Sequence, residues 1–121
     1  MRAFAEGFLL EAKSIAWFGQ QTYPPDVDPL DPRVSPLYAG DLAGLPPAHI
    51  HTAAFDPLRD EGKAYADRLR EAGVEVRYTC HAGMIHHFNA LAGAIPYARV
   101  ALDAAGAAIR HALGSLCLKV R

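Results

Sequence analysis

Apolar and polar positions along the chain change period several times, and each change marks an element. Leu10, Ser14, Trp17 and Phe18 fall at helical spacing, which predicts a helix over 11–22 with its aromatics on the apolar side. Seven prolines (Pro24, Pro25, Pro29, Pro32, Pro36, Pro46, Pro47) then exclude regular structure. Their Leu, Val and Tyr neighbours suit an ordered connection lying on a protein surface. AHIHTAAF (48–55) predicts a short strand ended by the Asp56-Pro57 turn. DEGKAYADRLREAG (60–73) predicts a helix, with Asp60 as N-cap, Ala64, Tyr65, Leu69 and Ala72 as its apolar side, and Gly73 as its stop. VEVRYTC (74–80) alternates strictly, setting Val74, Val76, Tyr78 and Cys80 against Glu75, Arg77 and Thr79, as a strand with one buried face does. The loop HAGMIHHFNALAGAI follows, and Pro96 opens a last helix over 96–113. Val100, Ala104, Ala108, Ile109 and Ala112 form its apolar stripe. The closing GSLCLKVR departs from that pattern and has no assigned role.

Strand, helix, strand, helix with short connections is an α/β arrangement, and its two strands should be parallel with a right-handed crossover. The organisation read from this pattern is a helix and Pro-rich connection over 1–46, then a βαβα portion over 47–121. Two parallel strands cannot bury both faces and leave two open edges. One end of a larger sheet is therefore expected, completed by another chain or by self-association as a homo-oligomer.

Composition narrows the function classes. An apolar fraction of 51% and a charged fraction of 21% are those of a globular chain. A formal net charge of -1 favours neither nucleic acid nor an anionic membrane as partner. No apolar run reaches the ~20 residues of a membrane span. The N-terminus is a poor signal peptide. Cys80 and Cys117 lie far apart and form no C-x-x-C, so a reduced, cytoplasmic protein is expected.

In parallel α/β units, reactive groups collect beyond the C-terminal ends of strands. Asp56 follows the first strand, and His86 lies in the loop after the second. Neighbouring loops would let carboxylate and imidazole meet, and a carboxylate that orients a histidine is what a general base requires. Asp-Pro turns and loop histidines are also ordinary punctuation, so both readings stand at this point. His49, His51, Cys80, His81, His86 and His87 are potential metal ligands, but their spacing matches no zinc signature. Neither a metal nor any other cofactor is expected, and the histidines read as partly buried and hydrogen-bonded. Packing gives no reason for His49 and His51 within a strand. Cys80 reads as a buried small hydrophobe rather than as a nucleophile.

DPLRDEG, followed by GMIHHF with its first His 30 residues after the Asp, resembles the C-terminal part of hormone-sensitive-lipase-like carboxylesterases. SPLYAGDLAGLPPAHIHTA and WFGQQTY extend the resemblance over about residues 6–113. It implies an α/β-hydrolase fold, with Asp56 as triad acid and His86 as triad base. It also implies that Met84, Ile85, His87 and Phe88 neighbour the substrate pocket, and that Trp17 lies on a cap helix. His87 stands where the family frequently has glycine, and reads as a loop residue beside the active histidine. The family's nucleophile lies in a G-x-S-x-G elbow and its oxyanion hole in an HGGG-type loop. Ser14, Ser35 and Ser115 are the only serines, none in an elbow, and no HGG occurs. The expectation is the C-terminal third of an esterase acting on small-molecule esters, nearly inactive alone. The alternative is an inactive, self-associating remnant or small-ligand-binding module.

Overall fold

The computed structural model describes residues 4–117. Its elements are α1 (Ala12–Thr22), a 3-10 turn at Pro36–Tyr38, β1 (Ala48–Phe55), α2 (Arg59–Glu71), β2 (Val76–Ile85), a second 3-10 turn at Phe88–Leu91, and α3 (Pro96–Cys117). They fall into two compact units, Met1–His86 and His87–Arg121. None of the described helices is long and apolar enough to cross a membrane.

In the first unit β1 and β2 pair in parallel, from Ala48 opposite Val76 to Ala53 opposite His81. Helix α2 covers the Ala48/Ile50 face. Leu42, Leu69 and Val74 are buried together, with Ala39, Ala48, Ile50, Tyr65, Ala72 and Val76 packed around them. Leu42 shows that the Pro-rich connection contributes to the core. Arg68 fastens the same connection to α2, donating to the Ala39 carbonyl at 2.6 Å and to that of Leu37.

Helix α2 ends as its sequence dictates. Gly73 has φ +81°, Val74 N–H donates to the Leu69 carbonyl at 3.0 Å, and Gly73 N–H donates to that of Arg70 at 2.9 Å. These two bonds satisfy carbonyls the helix leaves over, and they bring Val74 back onto Leu69. The start differs from expectation. The N-cap is Leu58, without a side-chain cap bond, and Asp60 lies inside the first turn paired with Arg59 at 2.8 Å. Asp60 still sits where the helix dipole favours an anion.

Strand β2 runs five residues past the expected Cys80. The small-residue stretch that reads as a loop is instead a bulge. Ala53 faces His81 and Phe55 faces Ile85, so β2 spends two extra residues there, and Gly83 takes φ +74°. Cys80 is exposed rather than buried, a free thiol on β2.

The other end of the first unit holds an aromatic cluster. Phe8 stacks on Phe55 at 5.5 Å, Phe4 meets both rings edge-on, and the Arg59 guanidinium lies 5.0 Å above Phe4. Helix α1 buries none of its residues; Trp17 and Phe18 touch only edge-on at 5.2 Å, and both are more than half exposed. Its expected apolar side is thus not a core face in this chain.

In the second unit α3 continues beyond 113 to Cys117, which absorbs the GSLC of the closing segment; residues 118–121 lie outside the described residues. Among its positions with described side chains Ala98 and Ala101 are buried, whereas Val100 and Ile109 of the expected stripe are about 60% exposed. Phe88 is buried and stacks near Tyr97, with centroids 6.2 Å apart.

Gly62 separates packing from propensity. A methyl added there would lie 2.8 Å from Thr52 Cγ2, on a side chain whose hydroxyl is bonded to Tyr78 at 2.8 Å. Gly62→Ala should therefore lower stability by a net of about 1–3 kcal/mol, seen as a lower Tm, despite alanine's helix propensity. Adding Thr52→Ser, which removes Cγ2 and keeps the hydroxyl, should recover most of that loss in the same thermal melts. Gly73→Ala should cost about 1 kcal/mol through its left-handed φ, with no such rescue.

Candidate active site

Asp-Pro occurs three times, at Asp28, Asp31 and Asp56, and each builds the same small turn. The Asp Oδ1 accepts the backbone N–H two residues on: from Leu30 at 2.8 Å, Arg33 at 2.9 Å and Leu58 at 2.8 Å. Pro at the second position has no N–H to offer, and its fixed φ turns the chain toward the third. The turns differ in what the other oxygen does. Asp31 Oδ2 takes an exposed arginine, Arg33, at 2.6 Å. Asp56 follows a strand end, is only 9% exposed, and its Oδ2 meets His86 Nδ1 at 2.8 Å.

Register produces that meeting. After the bulge Phe55 faces Ile85, so the next residues of the two strands, Asp56 and His86, emerge side by side. His86 thus follows its strand directly, rather than a few residues later. The Asp56 backbone carbonyl also accepts Arg59 N–H at 3.1 Å, and Arg59 Nη1 donates to the Ala54 carbonyl at 3.1 Å. The backbone on either side of the Asp56 side chain is thus tied to the turn leading into α2.

A carboxylate accepts but cannot donate, so His86 Nδ1 carries the proton between them. The lone pair then resides on Nε2, the tautomer of a general base. His86 is about one-third exposed at its side chain, which leaves the ring approachable.

The remaining residues fall in different places. Met84 and Ile85 are half-buried at the end of β2. His87 is exposed and left-handed, with φ 59° and ψ 18°. Glycine takes that conformation without strain, which gives a physical reason for the glycine of the family pattern. Phe88 is buried in the second unit, and Trp17 is exposed on α1. A shallow groove of about 410 Å³ runs along α1 between Ala16, Tyr23 and Val27, and neither Asp56 nor His86 lines it.

Of the two strand histidines that packing did not explain, His51 has a partner across the sheet. His51 Nδ1 and His81 Nε2 are 3.0 Å apart, on the sheet face opposite α2. Burial foremost holds both rings below the usual imidazole pKa, with the neighbouring charge of His49 adding at His51 and that of His51 at His81. Among the described residues no three potential ligands converge as a metal site would require. Sequence reading missed Phe4, Phe8 and Arg59, which close around the end of β1. The four-residue spacing of the two phenylalanines was the available signal.

Residues 1–90 match a family model described as alpha/beta hydrolase fold. Over 81 residues the chain is 56% identical to a carboxylic ester hydrolase, LipN, of Mycobacterium tuberculosis, covering 64% of this chain and 22% of that one. It is 41% identical over 88 residues to an ethyl acetate hydrolase of Pseudomonas putida, covering 73% of this chain and 28% of the relative. An ester hydrolase from the metagenome of Lake Arreo superposes with a TM-score of 0.88 at 46% identity, over 93% of this chain and 36% of its own. The chain therefore spans between about a fifth and just over a third of the length of these relatives. It belongs to the α/β-hydrolase fold family.

Proposed function

We propose that this chain supplies the acid and base of a serine carboxylic ester hydrolase acting on small-molecule esters. The observation that carries the reading is the 2.8 Å contact of Asp56 Oδ2 with His86 Nδ1 at the shared end of two parallel strands. In the completed enzyme His86 Nε2 removes the proton of a serine hydroxyl as that oxygen attacks the ester carbonyl. The imidazolium, held by Asp56, then protonates the departing alkoxide, and the same ring activates water to release the acid. Met84, Ile85 and His87, next to His86 in sequence, are proposed to border the pocket, with Phe88 as a support and Trp17 as part of a cap. The serine comes from a segment preceding this one in the fold, since none of the three serines here lies in an elbow.

A second reading is favoured by one observation. Trp17 and Phe18 in the first unit, and Val100, Ile109 and Leu113 in the second, are each more than half exposed, so each unit carries uncovered apolar side chains. Self-association as a homo-oligomer, without catalysis, would cover them. The free thiol of Cys80 suits a reducing compartment, and a cytoplasmic location is proposed on that ground.

Fusing the segment that precedes the matched region in the Lake Arreo enzyme to this chain tests the first reading. The chimera should hydrolyse a short-chain nitrophenyl ester, and His86→Ala or Asp56→Asn should each reduce kcat by about 10⁴-fold. The chain alone should stay at the level of its own His86→Ala variant. A soluble, folded chimera indifferent to both substitutions would overturn the assignment. Light scattering at micromolar concentration tests the second reading: a stable monomer would exclude it, and a defined dimer would support it.

A further inference from the structure

The His51–His81 pair is not used in the proposed chemistry, yet it occupies a particular place. Side-chain hydrogen bonds bracket the bulge of β2 on both sides. Before it lies His51 Nδ1 to His81 Nε2 at 3.0 Å; after it lies His86 Nδ1 to Asp56 Oδ2 at 2.8 Å. His81 is 5% exposed, and the two rings lie within 13° of parallel with centroids 5.3 Å apart. A parallel pair that slips by one residue turns every side chain to the other face. At a bulge the extra residues are unpaired and the ladder is locally disrupted, so register there needs support from side chains. We infer that the His51–His81 bond is a proton-gated clamp on strand register that holds His86 against Asp56, with both histidines acting as positioning residues.

The gating follows from donor counting. Two facing imidazole nitrogens bond when one of them carries a proton and the other does not. One added proton can be shared between the rings; a second charges both and turns the contact into a repulsion. His49 and Arg77 lie on the same sheet face by strand alternation, and His49 disfavours additional positive charge at His51. Phe4 and Phe8 pack on Phe55 beyond the pair, and α2 lies against the opposite face. Because burial lowers the folded-state pKa of both rings, their stabilising contribution is present above the unfolded value of about 6.5. It is lost as pH falls below that value toward the lowered folded ones.

The clamp rests on reading Asp56 and His86 as the acid–base pair, but its test reads a hydrogen bond in this chain. Failure of a completed enzyme to cleave esters would leave it intact, and the converse also holds. Long-range proton–nitrogen NMR of the full chain follows the His86 Nδ1 proton and its exchange with solvent. In the wild type that exchange should accelerate by about tenfold as pH falls from about 7.5 through the lowered folded values of His51 and His81, in step with their double protonation. His81→Gln keeps an acceptor for His51 Nδ1–H that never titrates, so its His86 proton should stay protected at the acid end. His81→Leu should show fast exchange at both ends. The inference is overturned if His81→Gln loses protection at the same pH as the wild type. It is equally overturned if His81→Leu stays protected. Should the leucine variant not fold, wild type against His81→Gln decides alone.

Discussion

The Asp56 carboxylate divides its two oxygens between the backbone and a histidine, and the rest of the site depends on that division. Oδ1 closes the Asp-Pro turn on Leu58 N–H, and Oδ2 holds His86 Nδ1. The turn fixes where the second oxygen points, because a carboxylate bonded at one oxygen to its own backbone has little rotational freedom left. The Asp28 and Asp31 turns have the same first half, but Asp31 gives its second oxygen to the exposed Arg33 of its own turn. What distinguishes Asp56 is its position at a strand end beside a parallel neighbour, rather than its local sequence.

That neighbour is aligned by packing some distance away. Leu42, Leu69 and Val74 join the connection, α2 and the entrance to β2 into one core, and Gly62 lets α2 approach β1 closely at Thr52. Within DPLRDEG the aspartate thus holds His86, while the proline and glycine set a turn and an approach distance. The motif describes one mechanical unit: strand end, turn and the first turn of a helix.

The elements were legible where local physics decides them. Alternation from Val74 and the period of Ala64, Tyr65 and Leu69 located β2 and α2, and Gly73 marked the helix end because only a left-handed residue closes it that way. Asp56 and His86 followed from the order of strands and from family resemblance together. The end of β2 was not legible, since HAGMI has the composition of a loop and becomes strand only through a bulge at Gly83. Nor was the use of His51 and His81, which are 30 residues apart and meet only when register is known. Val100 and Ile109 give a correct period and a misleading conclusion: periodicity records a face to be covered, and this chain leaves those residues exposed.

The division of the Asp56 carboxylate is most directly tested by the tautomer of His86 in Asp56→Asn, read from its ring nitrogen shifts. Asparagine keeps an oxygen for the Leu58 turn but offers an amide N–H to the ring, so the fold should persist while His86 moves its proton from Nδ1 to Nε2. A folded Asp56→Asn chain in which His86 keeps the wild-type tautomer would contradict the account.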